Sequence, residues 1–415
     1  MVSSQLWDFI HNINIQTMNR LFLFLLSIFL LSSCSKDVDD YELTINDTST
    51  EYVYSAYSNY TFSKNSTKNK IPDLFLNSIE LMFGIENPSD KVVIDYNNDG
   101  FFDLVHTDSD YMSSYRGVKN RKFITFYKGD EYGNLSLDLD NSNKFKGLIH
   151  GIKGITVDVN EDGYLDLFFA GTGLEYADAG PEVIRDRFEY PILLINNGDG
   201  TFDEHRLESL IGYWHGVTSG DLNNDGNSEI VLVSPEDGAP SVTIDFTTTP
   251  IITQLDIPWE MSNGKWSQEV IDINNDGYDD LIMASDGDTL SADSFVWLNS
   301  ISGFDEILYI PKNEYETVTD INFFDIDSDG DLDLILSRNK MYQKAYIQII
   351  ENNITHLTDV TDMYLDNDWT FEGGAIEKLY IGDNDNDGIV ELRTHRNGYV
   401  MFEWEFIDNK FIKIN

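Results

Sequence analysis

One ten-residue pattern recurs six times in this chain of 415 residues, always in the same internal frame. Its clearest copy is Asp325-Ile-Asp-Ser-Asp-Gly330-Asp-Leu-Asp-Leu334, and the other copies start at Asp95, Asp158, Asp221, Asp272 and Asp383. They read DYNNDGFFDL, DVNEDGYLDL, DLNNDGNSEI, DINNDGYDDL and DNDNDGIVEL. Oxygen-bearing side chains hold the first, third, fifth and ninth places, Gly the sixth, and Leu or Ile the tenth. Successive starts lie 51 to 63 residues apart. A pattern kept in register at that period means one structural unit used again and again.

The spacing points to a hard cation. Ca²⁺ takes six to eight oxygen ligands at roughly 2.3–2.6 Å, and alternate acidic or amide side chains in a tight loop can wrap one such ion. Gly330 and its counterparts supply the positive φ of a sharp turn. The seventh place is Phe101, Tyr164, Asn227, Tyr278, Asp331 or Ile389. So mixed a set suits a position used through its backbone carbonyl. A helix-flanked Ca²⁺ loop would end on Glu at the twelfth place. Here the loop ends at the ninth and runs into Leu334-Ile-Leu, so strands are expected on both sides. One such copy is compatible with an Asx-rich hairpin that binds no ion; six in register argue for the metal.

These residues resemble the FG-GAP and VCBS repeats of β-propeller proteins, including the calcium-binding hairpins of integrin α-chain propellers. The resemblance covers Lys91 to the C-terminus. It implies Ca²⁺ ligands at places one, three, five and nine of each loop. These are Asp95, Asn97, Asp99 and Asp103; Asp158, Asn160, Asp162 and Asp166; Asp221, Asn223, Asp225 and Glu229. The second half of the chain adds Asp272, Asn274, Asp276 and Asp280; Asp325, Asp327, Asp329 and Asp333; Asp383, Asp385, Asp387 and Glu391. Glu229 and Glu391 depart from Asp, so those two loops are expected to bind differently. Leu193-Leu-Ile-Asn-Asn197-Gly-Asp-Gly-Thr-Phe202 looks like the family's later hairpin, which the other repeats keep only loosely.

Each interval between loops holds several short β-rich runs broken by Gly, Asn and Asp. In the last repeat they are Lys378–Ile381, Val390–Arg393, Tyr399–Phe406 and Lys410–Ile414. Four strands per repeat at this period predict an all-β β-propeller of four-stranded blades. Six blades carry the loop, and residues 45–90 are open as a seventh without one. The calcium sites are expected to hold hairpins in place, since metal binding to the folded state is folding free energy.

With 73 Asp+Glu against 27 Lys+Arg, the formal net charge is −46. Six Ca²⁺ ions would offset only part of it. The remainder argues against nucleic acid, whose phosphates need Lys and Arg, and against default attraction to anionic membrane surfaces. Self-repulsion that favours solubility accounts for it. No HExxH, G-x-S-x-G or phosphate-binding glycine loop is present.

The N-terminus reads as a targeting segment. Leu21–Leu31 is an apolar run too short to span a bilayer, preceded by Arg20 and followed by small residues, as in a signal-peptide h-region. Leu31-Ser-Ser-Cys34 resembles the bacterial lipobox, which implies lipidation of Cys34, the chain's one cysteine. Residues 1–17 carry no positive charge, so Met18 is the expected true start. Ser35-Lys-Asp-Val-Asp-Asp40 resembles the acidic tag of surface-exported lipoproteins. The expected organisation is a signal peptide over 1–33, a lipidated tether over 34–70, a lead-in or partial blade over 71–90 and the propeller over 91–415. The expected location is the outer membrane, lipid-anchored and facing the exterior.

If the family geometry holds, the stretches before each first strand meet near the central axis, away from the loops. There stand His150, Tyr213, Trp214, His215, Trp266 and Trp369, with Lys146, Lys153 and Lys265. Trp214, Trp266 and Trp369 are the candidate platform for a glycan or protein ligand; packing between blades is the other reading of them. The leading function is binding or adhesion. Propellers also include polysaccharide lyases, in which His or Tyr removes the proton beside a uronate. His150, Tyr213 and His215 are the residues for that alternative, which needs a basic rim.

Overall fold

In blades one to five the run that follows the acidic loop is a strand buried on both faces. Asp166–Gly171 is buried at every residue. Leu167 and Phe169 face one hydrophobic cluster, and Phe168 and Ala170 face another. Period-two alternation between two dry faces makes the sequence look continuously apolar rather than amphipathic.

In the computed structural model, the described residues are 91–414 apart from 108–120, 174–187, 235–240, 247–248, 256, 258–264, 286–292, 313–316, 341–343, 366–369, 373–374, 377, 384–387 and 397–398. The expectations for Cys34, Met18, the tether and a seventh blade from 45–90 lie outside them, as do Trp369, Asp385 and Asp387.

Blade one comprises β1 (Lys91–Ile94), β2 (Asp103–His106), β3 (Thr125–Lys128) and β4 (Ser136–Leu137). Blade two comprises β5 (Gly151–Val157), β6 (Asp166–Gly171), β7 (Ile192–Asn196) and β8 (Phe202–Arg206). Blade three is β9 (Gly216–Gly220), β10 (Glu229–Val233), β11 (Val242–Phe246) and β12 (Pro250–Gln254). Blade four is β13 (Lys265–Ile271), β14 (Asp280–Ser285), β15 (Phe295–Leu298) and β16 (Glu306–Tyr309). Blade five has β17 (Thr317–Phe324), β18 (Asp333–Lys340), β19 (Lys344–Asn352) and β20 (Leu357–Asp359). A single helical turn, α1 (Thr361–Tyr364), follows, and β21 (Thr370–Glu372) pairs with β19. Blade six ends the chain with β22 (Lys378–Gly382), β23 (Glu391–Arg396), β24 (Tyr399–Ile407) and β25 (Lys410–Lys413).

Within every blade the strands are hydrogen-bonded in sequence order and antiparallel. The first strands adjoin one another in the order β1, β5, β9, β13, β17, β22. Consecutive blades pack face to face. One hydrophobic cluster fills each junction: Val92, Phe126 and Phe169 between blades one and two, Phe168, Ile230 and Trp214 between two and three. Val231, Met283 and Phe295 fill the next. Ile282, Leu334 and Leu336 follow, and Ile335, Ile347 and Trp404 join blades five and six. Close approach has a local cause at Gly154, where a Cβ would meet the Phe169 ring at 2.8 Å and Val92. The described residues form an all-β β-propeller architecture of six four-stranded blades.

Each acidic loop joins the first and second strands of its blade. All six therefore lie at one end of the blades, and the starts of the first strands lie at the other.

Candidate metal centres

The loops share one hydrogen-bonded conformation. In loop one, Asp95 Oδ1 accepts the Asp99 amide at 3.1 Å and Oδ2 the Gly100 amide at 2.8 Å. Asn97 Oδ1 also accepts from Asp99, and Asp99 Oδ1 accepts from Phe101. The same contacts recur from Asp158, Asn160 and Asp162, from Asp221, Asn223 and Asp225, from Asp272, Asn274 and Asp276, and from Asp325, Asp327 and Asp329. In loop six, Asp383 accepts the Gly388 amide. The first-place carboxylate thus acts as a hub that curls the chain around itself. The sixth-place glycines have φ between +88° and +100°.

The ninth place closes the loop from the sheet side. Asp103 Oδ2 accepts the Tyr96 amide and Oδ1 the Gly129 amide just past β3. Asp166 takes Val159 and Asn196, Asp280 takes Ile273 and Asn299, and Asp333 takes Ile326 and Asn352. Glu229, one carbon longer, reaches the Leu222 amide at 2.9 Å and the Asn223 side-chain amide at 2.5 Å. Glu391 is likewise buried. Burial pushes Asp103 up to about 8, and Asp166, Glu229, Asp280 and Asp333 up to about 7, with the backbone amides only partly opposing it. Burial also raises Asp331 to about 7, aided by the adjacent Asp329 carboxylate.

Two features here were not read from the sequence. The fourth place is left-handed in every described loop: Asn98, Glu161, Asn224, Asn275 and Ser328 have φ of 56° to 65°. Asn tolerates that region better than most residues, which is why it recurs. The Asn that ends the third strand, seen only as part of a loose second hairpin, is Asn196, Asn299 or Asn352, and it caps the ninth-place carboxylate.

The donor set fits Ca²⁺. It is all oxygen, with no thiolate or imidazole, as a hard cation requires. Oxygens of Asp221, Asp225 and Glu229 lie within 4.8 Å of one another, as do those of Asp325, Asp327 and Asp333. A carboxylate oxygen that accepts one amide keeps a second lone pair for an ion.

At the other end of the blades the expected platform is smaller than the sequence suggested. Trp214 is 2% exposed and its indole donates to Leu210 O at 2.9 Å. It fills the junction of blades two and three and presents no ring to solvent. Trp266 is half-buried, with its ring against His215 at 3.5 Å between centroids. It sits on a β-bulge of β13, where the register shifts between Lys265 and Ser267, and a bulge re-aims the side chain it carries. Tyr213 is buried beside His215 and Phe188. His150 is buried with Nδ1 at 2.9 Å from Thr172 Oγ1. The structure does not place the lysines on a common rim. Lys265 is fully buried and donates to Asp293 O, Lys153 pairs with Glu269 at 3.1 Å, and Lys146 covers the Phe123 ring.

A T-cell immunomodulatory protein homolog of Plasmodium falciparum is 24% identical over 227 residues, covering 47% of this chain. The chain spans 31% of that protein's length. Among solved structures, Sqt1 of Saccharomyces cerevisiae matches at TM-score 0.42 and 10% identity, over 75% of this chain and 68% of that one. A putative 6-phosphogluconolactonase of Bacteroides fragilis matches at 0.43 and 11%, over 80% and 85%. A rhamnogalacturonan lyase of Bacillus licheniformis matches at 0.34 and 10%, over 78% and 72%. Residues 158–232, from the second loop through most of β10, match the FG-GAP-like repeat family.

Proposed function

We propose that this chain is a calcium-stabilised β-propeller that serves as a binding or adhesion module for a glycan or a protein, held at the bacterial outer surface by a lipid on Cys34. The observation that carries the calcium reading is the repeated loop: five complete copies share one hydrogen-bonded conformation around all-oxygen donors. When bound, the ion would supply the positive charge that those carboxylates lack. Places one, three, five and nine would hold it, and the chain's own amides keep them converged beforehand.

Binding is favoured over β-elimination because two lysines needed for a basic rim are internal and His150 is committed to Thr172. Trp266 with His215 is the aromatic surface that remains for a ligand. The lipid anchor rests on the apolar run Leu21–Leu31 and the Leu31-Ser-Ser-Cys34 pattern that ends it.

Equilibrium dialysis of the stripped chain against Ca²⁺ tests the reading. Uptake of about six ions per chain, poorly displaced by Mg²⁺, is expected, since Mg²⁺ demands near-octahedral geometry. No uptake would refute it. Retention on immobilised polysaccharides, weakened by Trp266→Ala at unchanged melting temperature, is the matching test of the ligand surface.

A further inference from the structure

The loops of blades three, four and five are joined by a continuous path of hydrogen bonds. At the end of β15, the Asn299 amide donates to Asp280 Oδ1 of its own loop at 2.7 Å. Its side-chain Nδ2 crosses the blade boundary to Leu222 O, the second place of loop three, at 2.9 Å. The Leu222 amide in turn donates to Glu229, the ninth place of loop three. The next boundary repeats this. The Asn352 amide donates to Asp333 at 2.8 Å, and its Nδ2 reaches Ile273 O of loop four at 2.9 Å. The Ile273 amide then donates to Asp280. In loops three and four the second-place residue therefore donates its amide to its own ninth-place carboxylate and offers its carbonyl to the neighbouring blade's Asn.

A second bond spans each of these boundaries. The Asp221 amide donates to Asp279 Oδ2 at 2.9 Å, and Asn275 Nδ2 donates to Gly330 O at 3.0 Å. Among the described residues the path stops on either side. Phe246 and Phe406 occupy the Asn position in blades three and six and have no side-chain donor. In blade two, Asn196 Nδ2 keeps the bond to its own eighth-place carbonyl, Leu165 O, that Asn299 and Asn352 also make to Asp279 O and Leu332 O, but it makes no bond to loop one.

We propose that Asn299 and Asn352 couple the candidate calcium loops of blades three, four and five, so that these three fill cooperatively while loops one and two fill independently. The proposal rests on the calcium reading above. An ion that fixes Asp280 holds the Asn299 amide in place. That orients Asn299 Nδ2 on Leu222 O and turns the Leu222 amide toward Glu229. Part of the ordering that loop three needs is then already done, which is positive coupling without a large change of shape.

The test follows amide hydrogen exchange of the full chain during a Ca²⁺ titration. Leu222, Ile273 and Ile326 report loops three, four and five; Tyr96 and Val159 report loops one and two. In the unmodified chain the first three amides are expected to gain protection at one shared midpoint. Asp276→Asn, which weakens loop four at a residue off the path, is expected to shift the midpoints of Leu222 and Ile326 by about fivefold. Those of Tyr96 and Val159 should not move. With Asn299→Ala and Asn352→Ala present, the remote shift should largely disappear. Separate midpoints for the three amides in the unmodified chain, or a remote shift undiminished by the two alanines, would overturn the coupling while leaving calcium binding intact. No calcium-dependent protection anywhere would overturn both.

Discussion

At the scale of single residues, the loops trade backbone strain for a converged set of oxygens. A left-handed L-residue costs roughly 1–2 kcal/mol, and Asn is among the few that visit the region readily. Glu161 has φ +60° where three other described loops place Asn. Glu161→Asn is therefore expected to stabilise the chain by about 0.5–1 kcal/mol, read as a higher urea midpoint at unchanged slope. A lower midpoint would mean that the Glu161 carboxylate has a role its position does not reveal.

The ninth-place carboxylates set the pH dependence. Their folded-state values of about 7 to 8 lie above the unfolded carboxylate range of about 4. The stability they contribute to the metal-free chain is complete below that range and is lost as pH rises through 7 to 8. Metal-free protein should melt higher at about pH 5 than at about pH 8, and saturating Ca²⁺ should abolish or reverse the order. Melts with and without the ion at both pH values decide this. A metal-free chain more stable at the higher pH would contradict the burial of these groups.

At the scale of elements, the strands next to the loops were plain in the sequence because an apolar run two faces deep follows the acidic turns of blades one to five. The four runs read in the last repeat fall on β22 to β25 with boundaries shifted by at most three residues. The blade ends were not legible. A β-bulge such as the one at Trp266 leaves no periodic mark, so nothing in the sequence distinguished that half-exposed ring from the buried Trp214. The same holds for Glu189, an unremarked acid before β7. It is buried, and it accepts the amides of Ile149, His150 and Gly173, with Arg121 at 3.5 Å. This one carboxylate clamps the start of β5 to the end of β6. Glu189→Gln turns a donor toward those donors and is expected to cost about 2–4 kcal/mol. An unchanged denaturation midpoint would show that the clamp is dispensable.

At the scale of the molecule, the six blades hold together through five hydrophobic junctions at one level and the acidic loops at another. The junctions are lined by buried apolar side chains, but the loops gather carboxylates in a chain whose net charge is already −46. Charge repulsion concentrates there. Six Ca²⁺ ions would remove twelve of those charges at the places where they are closest together. We propose that these ions complete the fold. Thermal unfolding of the full chain tests it most directly, with Ca²⁺ present and then with excess chelator and Mg²⁺. The expected result is a fall in Tm of about 10 °C or more on chelation, restored by added Ca²⁺. A transition that stays within about 1 °C would contradict it, because sites bound tightly by the folded state alone must shift its melting temperature.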